Sequence, residues 1–136
     1  MRNIFCFACV TVSVAIITAV CLICSRESKA AADFVKGYGW EINPHPIESI
    51  EVILPQEFDD VYKCYNELQK RAGLDLSHYK GKRAVRYTFS VNNYPIQSSS
   101  PVRANVLVVR GVAIGGDIST TELDGFMHSL NEFPES

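Results

Sequence analysis

The sequence lacks an excess of charge of either sign. Its 13 lysine and arginine residues nearly balance 15 aspartate and glutamate residues, which leaves a net charge of −2 at pH 7. Proteins that bind nucleic acid usually carry a basic excess, so we expect no nucleic-acid partner. The hydrophobic fraction of 47% against 21% charged residues argues against a disordered chain.

The familiar catalytic motifs are absent as well. The chain contains no Gly-x-Ser-x-Gly elbow, no phosphate-binding loop and no dinucleotide fingerprint. We therefore expect no enzymatic activity, no catalytic residue and no cofactor.

Cysteine is scarce outside the N-terminal segment. Cys64 is the only one of the five cysteines beyond residue 24, so the rest of the chain has no internal disulfide. Two Cys-x-x-Cys pairs, Cys6–Cys9 and Cys21–Cys24, approach zinc-ribbon spacing. Both pairs lie in an apolar segment where ionised thiolates are costly, so we expect no metal site there.

The segment from Ile4 to Cys24 contains 21 residues and no charged side chain. A helix rises about 1.5 Å per residue, so this run is long enough to cross a hydrocarbon core of roughly 30 Å. It predicts a single-pass membrane anchor with its flank at residues 1–29, followed by one domain at 30–136. The short N-terminal tail favours an extracytoplasmic domain. A cleaved signal peptide ending at Ser28-Lys29-Ala30 is the alternative.

The remainder of the chain shows both helical and strand periodicity. Apolar side chains at three- and four-residue spacing predict a helix from Glu57 to Ala72. Alternating segments predict strands at 47–54, 85–91, 102–109 and 112–118. The alternation gives 85–91 one buried and one solvent-facing side, whereas Leu107 and Val109 make the second side of 102–109 partly apolar. Arg110-Gly111 predicts a two-residue hairpin turn. The expected fold is α+β, with a helix packed on an antiparallel sheet of about four strands.

Several short segments together resemble a known family. They include Gly39-Trp40-Glu41-Ile42, Tyr65-Asn66-Glu67-Leu68-Gln69-Lys70, Arg86-Tyr87-Thr88-Phe89, Ile114-Gly115-Gly116-Asp117-Ile118 and Gly125-Phe126-Met127-His128. With them, roughly residues 33–130 are similar to domain-of-unknown-function family 4830. The resemblance implies a small membrane-anchored bacterial protein. It implies no activity and no catalytic residue.

A candidate binding surface near the C-terminus contains Gly115, Gly116, Asp117, Asp124 and His128. Two glycines in a strand typically mark a bulge or the close approach of another part of the chain. The carboxylates and the imidazole are ligand types for a divalent cation. A helix over residues 120–130 would place Asp124 and His128 on one face. The simpler alternative to a cation site is that Ser119, Thr120 or Thr121 caps this helix and Glu122 lies in its first turn.

Two functions agree with these observations. The first is an extracytoplasmic protein-interaction domain held at the membrane by residues 4–24, with another membrane or envelope protein as its partner. The second is a small domain that binds a cell-envelope ligand or a divalent cation. The abundant aromatic residues, among them Tyr62 and Tyr65, are also compatible with a peptide or glycan groove on the sheet.

Overall fold

A computed structural model describes residues 2–135, with side chains described from residue 12 onward. Two α-helices, a short 3-10 helix and five strands follow one another along the chain. They are α1 (Arg2–Gly37), β1 (Glu48–Ile53), α2 (Asp60–Arg71), the 3-10 helix (Leu76–Tyr79), β2 (Arg83–Ser90), β3 (Val102–Val109), β4 (Val112–Thr120) and β5 (Met127–His128).

The five strands form one antiparallel sheet in the order β1-β2-β3-β4-β5. The α+β class is therefore confirmed, but the expected number of about four strands is wrong, because the residues after β4 add a fifth. Residues 120–130 do not form the helix that would have placed Asp124 and His128 on one face. A turn, in which Gly125 N donates to Glu122 O, leads the chain back so that His128 pairs with Ile118.

Helix α2 forms where the periodicity predicts it and begins at Asp60, because Asp59 is its N-cap. The Asp59 side chain accepts a hydrogen bond of 2.8 Å from the backbone N–H of Tyr62. The hairpin turn between β3 and β4 is at Arg110-Gly111, as predicted. Both residues have positive φ, 48° and 78°, which a tight two-residue turn requires.

The sheet is covered on both sides, one side by each helix. The C-terminal part of α1 places Ala31, Ala32 and Val35 against the side that carries Phe89 and Val106. On the other side, α2 and the 3-10 helix cover a smaller apolar cluster of Leu54, Leu76, Ala84, Leu107 and Ile114. The side of β2 and β3 that was expected to face solvent is thus covered in part by α2. Thr88, for example, is only 7% exposed.

Helix α1 runs without a break from the predicted anchor into this core. The large apolar side chains between Val12 and Ile23 are exposed. Among the described residues, no helix combines the length and the apolar character that a membrane crossing needs. Residues 4–11 of the predicted anchor are not among the residues whose side chains the structure describes.

Candidate functional site

A groove of about 450 Å³ lies between α2 and the sheet. Both walls are mostly apolar, and the floor, on β2, β3 and β4, is polar. The groove is lined by Val52, Leu54, Val61, Tyr62, Cys64, Tyr65, Leu68, Arg86, Asn105, Leu107, Asp117 and Met127. This combination of apolar walls with a few convergent polar groups is typical of a binding site.

Asn105 and Asp117 of the floor belong to a row of polar cross-strand neighbours. Thr88 of β2 is directly opposite Asn105 of β3, and Asn105 is opposite Asp117 of β4. The Thr88 hydroxyl donates to Asn105 Oδ1 at 2.9 Å, and Asn105 Nδ2 donates to Asp117 Oδ2 at 2.9 Å. From the helix above, the Tyr65 hydroxyl donates to Asp117 Oδ1 at 2.7 Å. The Asp117 side chain therefore connects all three central strands to α2.

The Asp117 carboxyl is almost fully buried, with 2% of the residue exposed. Burial raises its pKa above the usual value of 3.8, although hydrogen bonds from Asn105, Tyr65 and Ser119 and the nearby charge of Arg86 oppose this. Burial and the Asp117 charge also raise the pKa of Tyr65 well above its usual value. Tyr65 is therefore a neutral donor at physiological pH.

Arg86 supplies the positive charge at the floor of the groove. It precedes Thr88 by two residues in β2, so both side chains are on the α2 side of the sheet. Its Nη2 is 3.4 Å from Glu48 Oε2, a long contact, and both side chains are partly exposed. Its Nε is buried and has no hydrogen-bond partner in the described part of the chain.

Three of the five predicted surface residues are adjacent in β4. Gly115 and Gly116 allow the close approach that two strand glycines indicate: Gly116 N donates to Gln69 Oε1 of α2 at 2.7 Å. A Cβ at Gly115 would be 2.8 Å from Leu76 Cδ2. The glycines thus let α2 and the 3-10 helix pack directly on β4, beside Asp117.

Asp124 and His128 do not join Asp117. Asp124 is exposed in the turn before β5. His128 is in the aromatic cluster under α1, where its Nε2 is 3.1 Å from the Tyr94 hydroxyl and its ring is 5.9 Å from Trp40. Among the residues whose side chains are described, no three histidine, cysteine, aspartate or glutamate side chains are grouped to hold a metal ion.

Sequence reasoning missed Arg86 and Asn105 as groove residues. Their alternation with apolar residues placed them on the solvent-facing side of β2 and β3, which is the side that α2 partly covers. The available signal was that Arg86 and Thr88, which flank the buried Tyr87 and share one side of β2, are both polar. Nothing in that pattern indicates which helix covers them.

A family model described as a domain of unknown function, DUF4830, matches residues 34–118. The chain belongs to this family. The matched range begins in the last turn of α1 and includes every groove residue of the DUF4830 domain except Met127. The segment 125–128, which also contributed to the resemblance, lies beyond it. No curated protein and no solved structure matches the chain.

Ionisation of Asp117 should make the stability of the DUF4830 domain depend on pH. Its pKa is raised in the folded state, so the folded protein binds this proton more tightly than the unfolded chain does. The free energy of unfolding, relative to that of Asp117→Asn, should therefore fall as pH rises from about 4 through the raised pKa, and then become constant. Urea unfolding of both proteins across this range measures the difference. If the free energy of unfolding instead rose with pH relative to that of Asp117→Asn, the burial argument would be contradicted.

Proposed function

We propose that this chain is a non-catalytic, membrane-anchored protein whose extracytoplasmic domain binds a segment of another envelope protein. The anchor is the uncharged run at residues 4–24. It is supported by the seven large apolar side chains between Val12 and Ile23, which are all more than half exposed to solvent although they belong to one continuous helix. Such a surface is costly in water and favourable in lipid.

The observation that carries the interaction role is an open strand beside an apolar groove. Strand β1 is at the edge of the sheet and, among the residues that the structure describes, pairs only with β2. An edge strand leaves backbone N–H and C=O groups available to another strand. Ile47 is 53% and Ile50 39% exposed, and Val52, two residues after Ile50 and on the same side, lines the groove.

These features fit an extended peptide that adds to β1. In this mode of recognition, backbone hydrogen bonds supply affinity and pockets for alternate side chains supply specificity. A peptide strand beside β1 would direct every second side chain to the α2 side, toward Val52 and Val61. We expect an apolar residue at that position of the partner.

A second candidate is a small envelope ligand that enters the groove itself. The volume of about 450 Å³ agrees with pockets for small molecules. The specific observation in its favour is the Arg86 side chain, whose buried Nε has no partner within the described chain. A carbonyl or carboxylate oxygen of a ligand would provide an acceptor for this guanidinium group. The structure does not favour a divalent cation as the ligand, because Asp117, Asp124 and His128 lie apart.

Site-specific photocrosslinking in intact cells tests the proposed interaction. A photoreactive residue at Ile50 or Val61 should crosslink to one and the same segment of one partner. The same residue at Leu123, which is fully exposed in the turn before β5, is the matched control. A synthetic peptide of the captured segment should then protect Cys64, which lines the groove, from alkylation. Equal crosslinking at all three positions would contradict the proposal.

If Ile50 and Val61 capture no protein above the Leu123 control, the peptide-binding role is wrong. Protection of Cys64 by a small-molecule extract of the envelope, lost in Arg86→Gln but kept in Arg103→Gln, would then support the second candidate. Arg103 is a suitable control because it is on the same side of the sheet but does not line the groove.

A further inference from the structure

One end of the sheet lies beside the helix just after the predicted anchor. Strands β1 and β3 end there, and β2 and β4 begin there. Glu27 of α1 contacts this end: its Oε2 is 3.5 Å from the Tyr87 hydroxyl, and its Oε1 would be 4.0 Å from a Cβ at Gly111. The predicted anchor ends at Cys24, three residues before Glu27, which is about 4.5 Å along a helix.

The surface at this end combines basic and apolar side chains. We call it the anchor-proximal end and define it by Arg26, Ile53, Lys82, Arg110 and Val112. Ile53 is 63% and Val112 59% exposed. Within the described part of the chain, Arg26, Lys82 and Arg110 form no ion pair. The other charged groups here are Glu27 and the pair formed by Arg83 and Glu51 at 3.1 Å.

This positive surface contrasts with the rest of the domain. Residues 30–136 contain 10 basic and 14 acidic side chains, a net charge of −4. Lys82 and Arg110 on this acidic domain, together with Arg26 just before it, are three cations without an ion pair and are complementary to an anionic partner. The exposed Ile53 and Val112 are complementary to an apolar one. The interface of an anionic phospholipid bilayer offers both, with phosphate groups above acyl chains.

We propose that the anchor-proximal end docks on anionic phospholipid headgroups and thereby holds the domain against the membrane surface. This inference rests on the proposed membrane anchor and goes beyond it, because an anchor does not by itself require the domain to contact the lipid surface. Since α1 continues unbroken into the core, docking would also fix the direction in which the open edge of β1 faces.

Hydrogen exchange of the full chain in nanodiscs tests the docking. One set of nanodiscs contains phosphatidylcholine alone, and the other an equal mixture of phosphatidylcholine and phosphatidylglycerol. We expect amides of the β3–β4 hairpin, including Val112, to exchange about tenfold more slowly in the mixed lipids. One to two basic residues near an anionic surface produce an effect of this size. Amides around Asp124, at the opposite end, should not respond to the lipid.

Charge variants separate electrostatic docking from general lipid contact. The double variant Lys82→Glu with Arg110→Glu should remove the slow exchange in the mixed lipids. Arg103→Glu, at the other end of β3, should keep it. Equal exchange of the hairpin in both lipids, in a chain that has entered the nanodiscs, would overturn the docking but leave the anchor intact. A chain that does not enter the nanodiscs would overturn the anchor and, with it, the docking.

Discussion

Replacement of Gly116 by alanine is expected to destabilise the domain by about 3 kcal/mol, the upper part of the usual range for overpacking a core. The added Cβ would be 2.6 Å from the backbone oxygen of Asn105 and 2.9 Å from Leu130 Cδ1. The oxygen belongs to β3, which has a partner strand on each side and does not shift easily. Chemical denaturation of the full chain in mild detergent measures the loss.

Two other glycines provide matched controls for Gly116. At Gly115 the nearest atoms to an added Cβ belong to the side chains of Leu76 and Gln69, which are able to move, so the loss should be smaller. At Gly37, at the end of α1, no atom lies within 4 Å and the φ angle is not positive. Gly37→Ala should be neutral or stabilise by about 0.5 kcal/mol. A loss at Gly37 as large as that at Gly116 would show that crowding is not the cause.

Much of the fold follows from local patterns in the sequence. Periodicity placed α2, and alternation placed four strands, because each of these elements has enough residues to repeat its pattern. Strand β5 has only Met127 and His128, so no alternation exists, and its formation depends on pairing with Ile118 and Ser119 of β4. Turn geometry and a partner strand, rather than helical propensity, determine this segment.

The candidate site was less predictable than the fold. Asp117 was identified because two glycines precede it, and those glycines do mark the approach of α2. Tyr65, Arg86 and Asn105 come from three different elements, and their meeting depends on strand register and on which side of the sheet α2 covers. Neither quantity is encoded within one segment, so only the assembled sheet brings these side chains to Asp117.

The same dependence on tertiary position explains why the residues proposed as cation ligands do not lie together. Asp117 and His128 are separated by few residues, but they are on opposite sides of the sheet. In a strand, neighbouring residues face opposite ways, and the turn after β4 returns His128 opposite Ile118, whose side chain faces α1. Closeness in sequence therefore carried no information about closeness in space.

Replacement of Trp40 by alanine should be the most damaging change under α1, with a loss of about 3 to 5 kcal/mol. Trp40 is 1% exposed, and its ring stacks on Phe133 with centroids 4.0 Å apart. Its Nε1 donates a hydrogen bond of 2.7 Å to the backbone oxygen of Leu130. The variant thus leaves both a cavity and an unpaired carbonyl group, and it releases the segment after β5.

Trp40→Phe separates these two contributions. Phenylalanine keeps most of the packing but loses the donor to Leu130, so this variant should cost only about 1 to 3 kcal/mol. Hydrogen exchange supplies a second measurement: amides after β5, around Leu130, should exchange much faster in Trp40→Ala than in Trp40→Phe, while those of α2 should change little below global unfolding. Equal losses in both variants would mean that the single hydrogen bond, rather than the stacked indole, fixes the C-terminal segment.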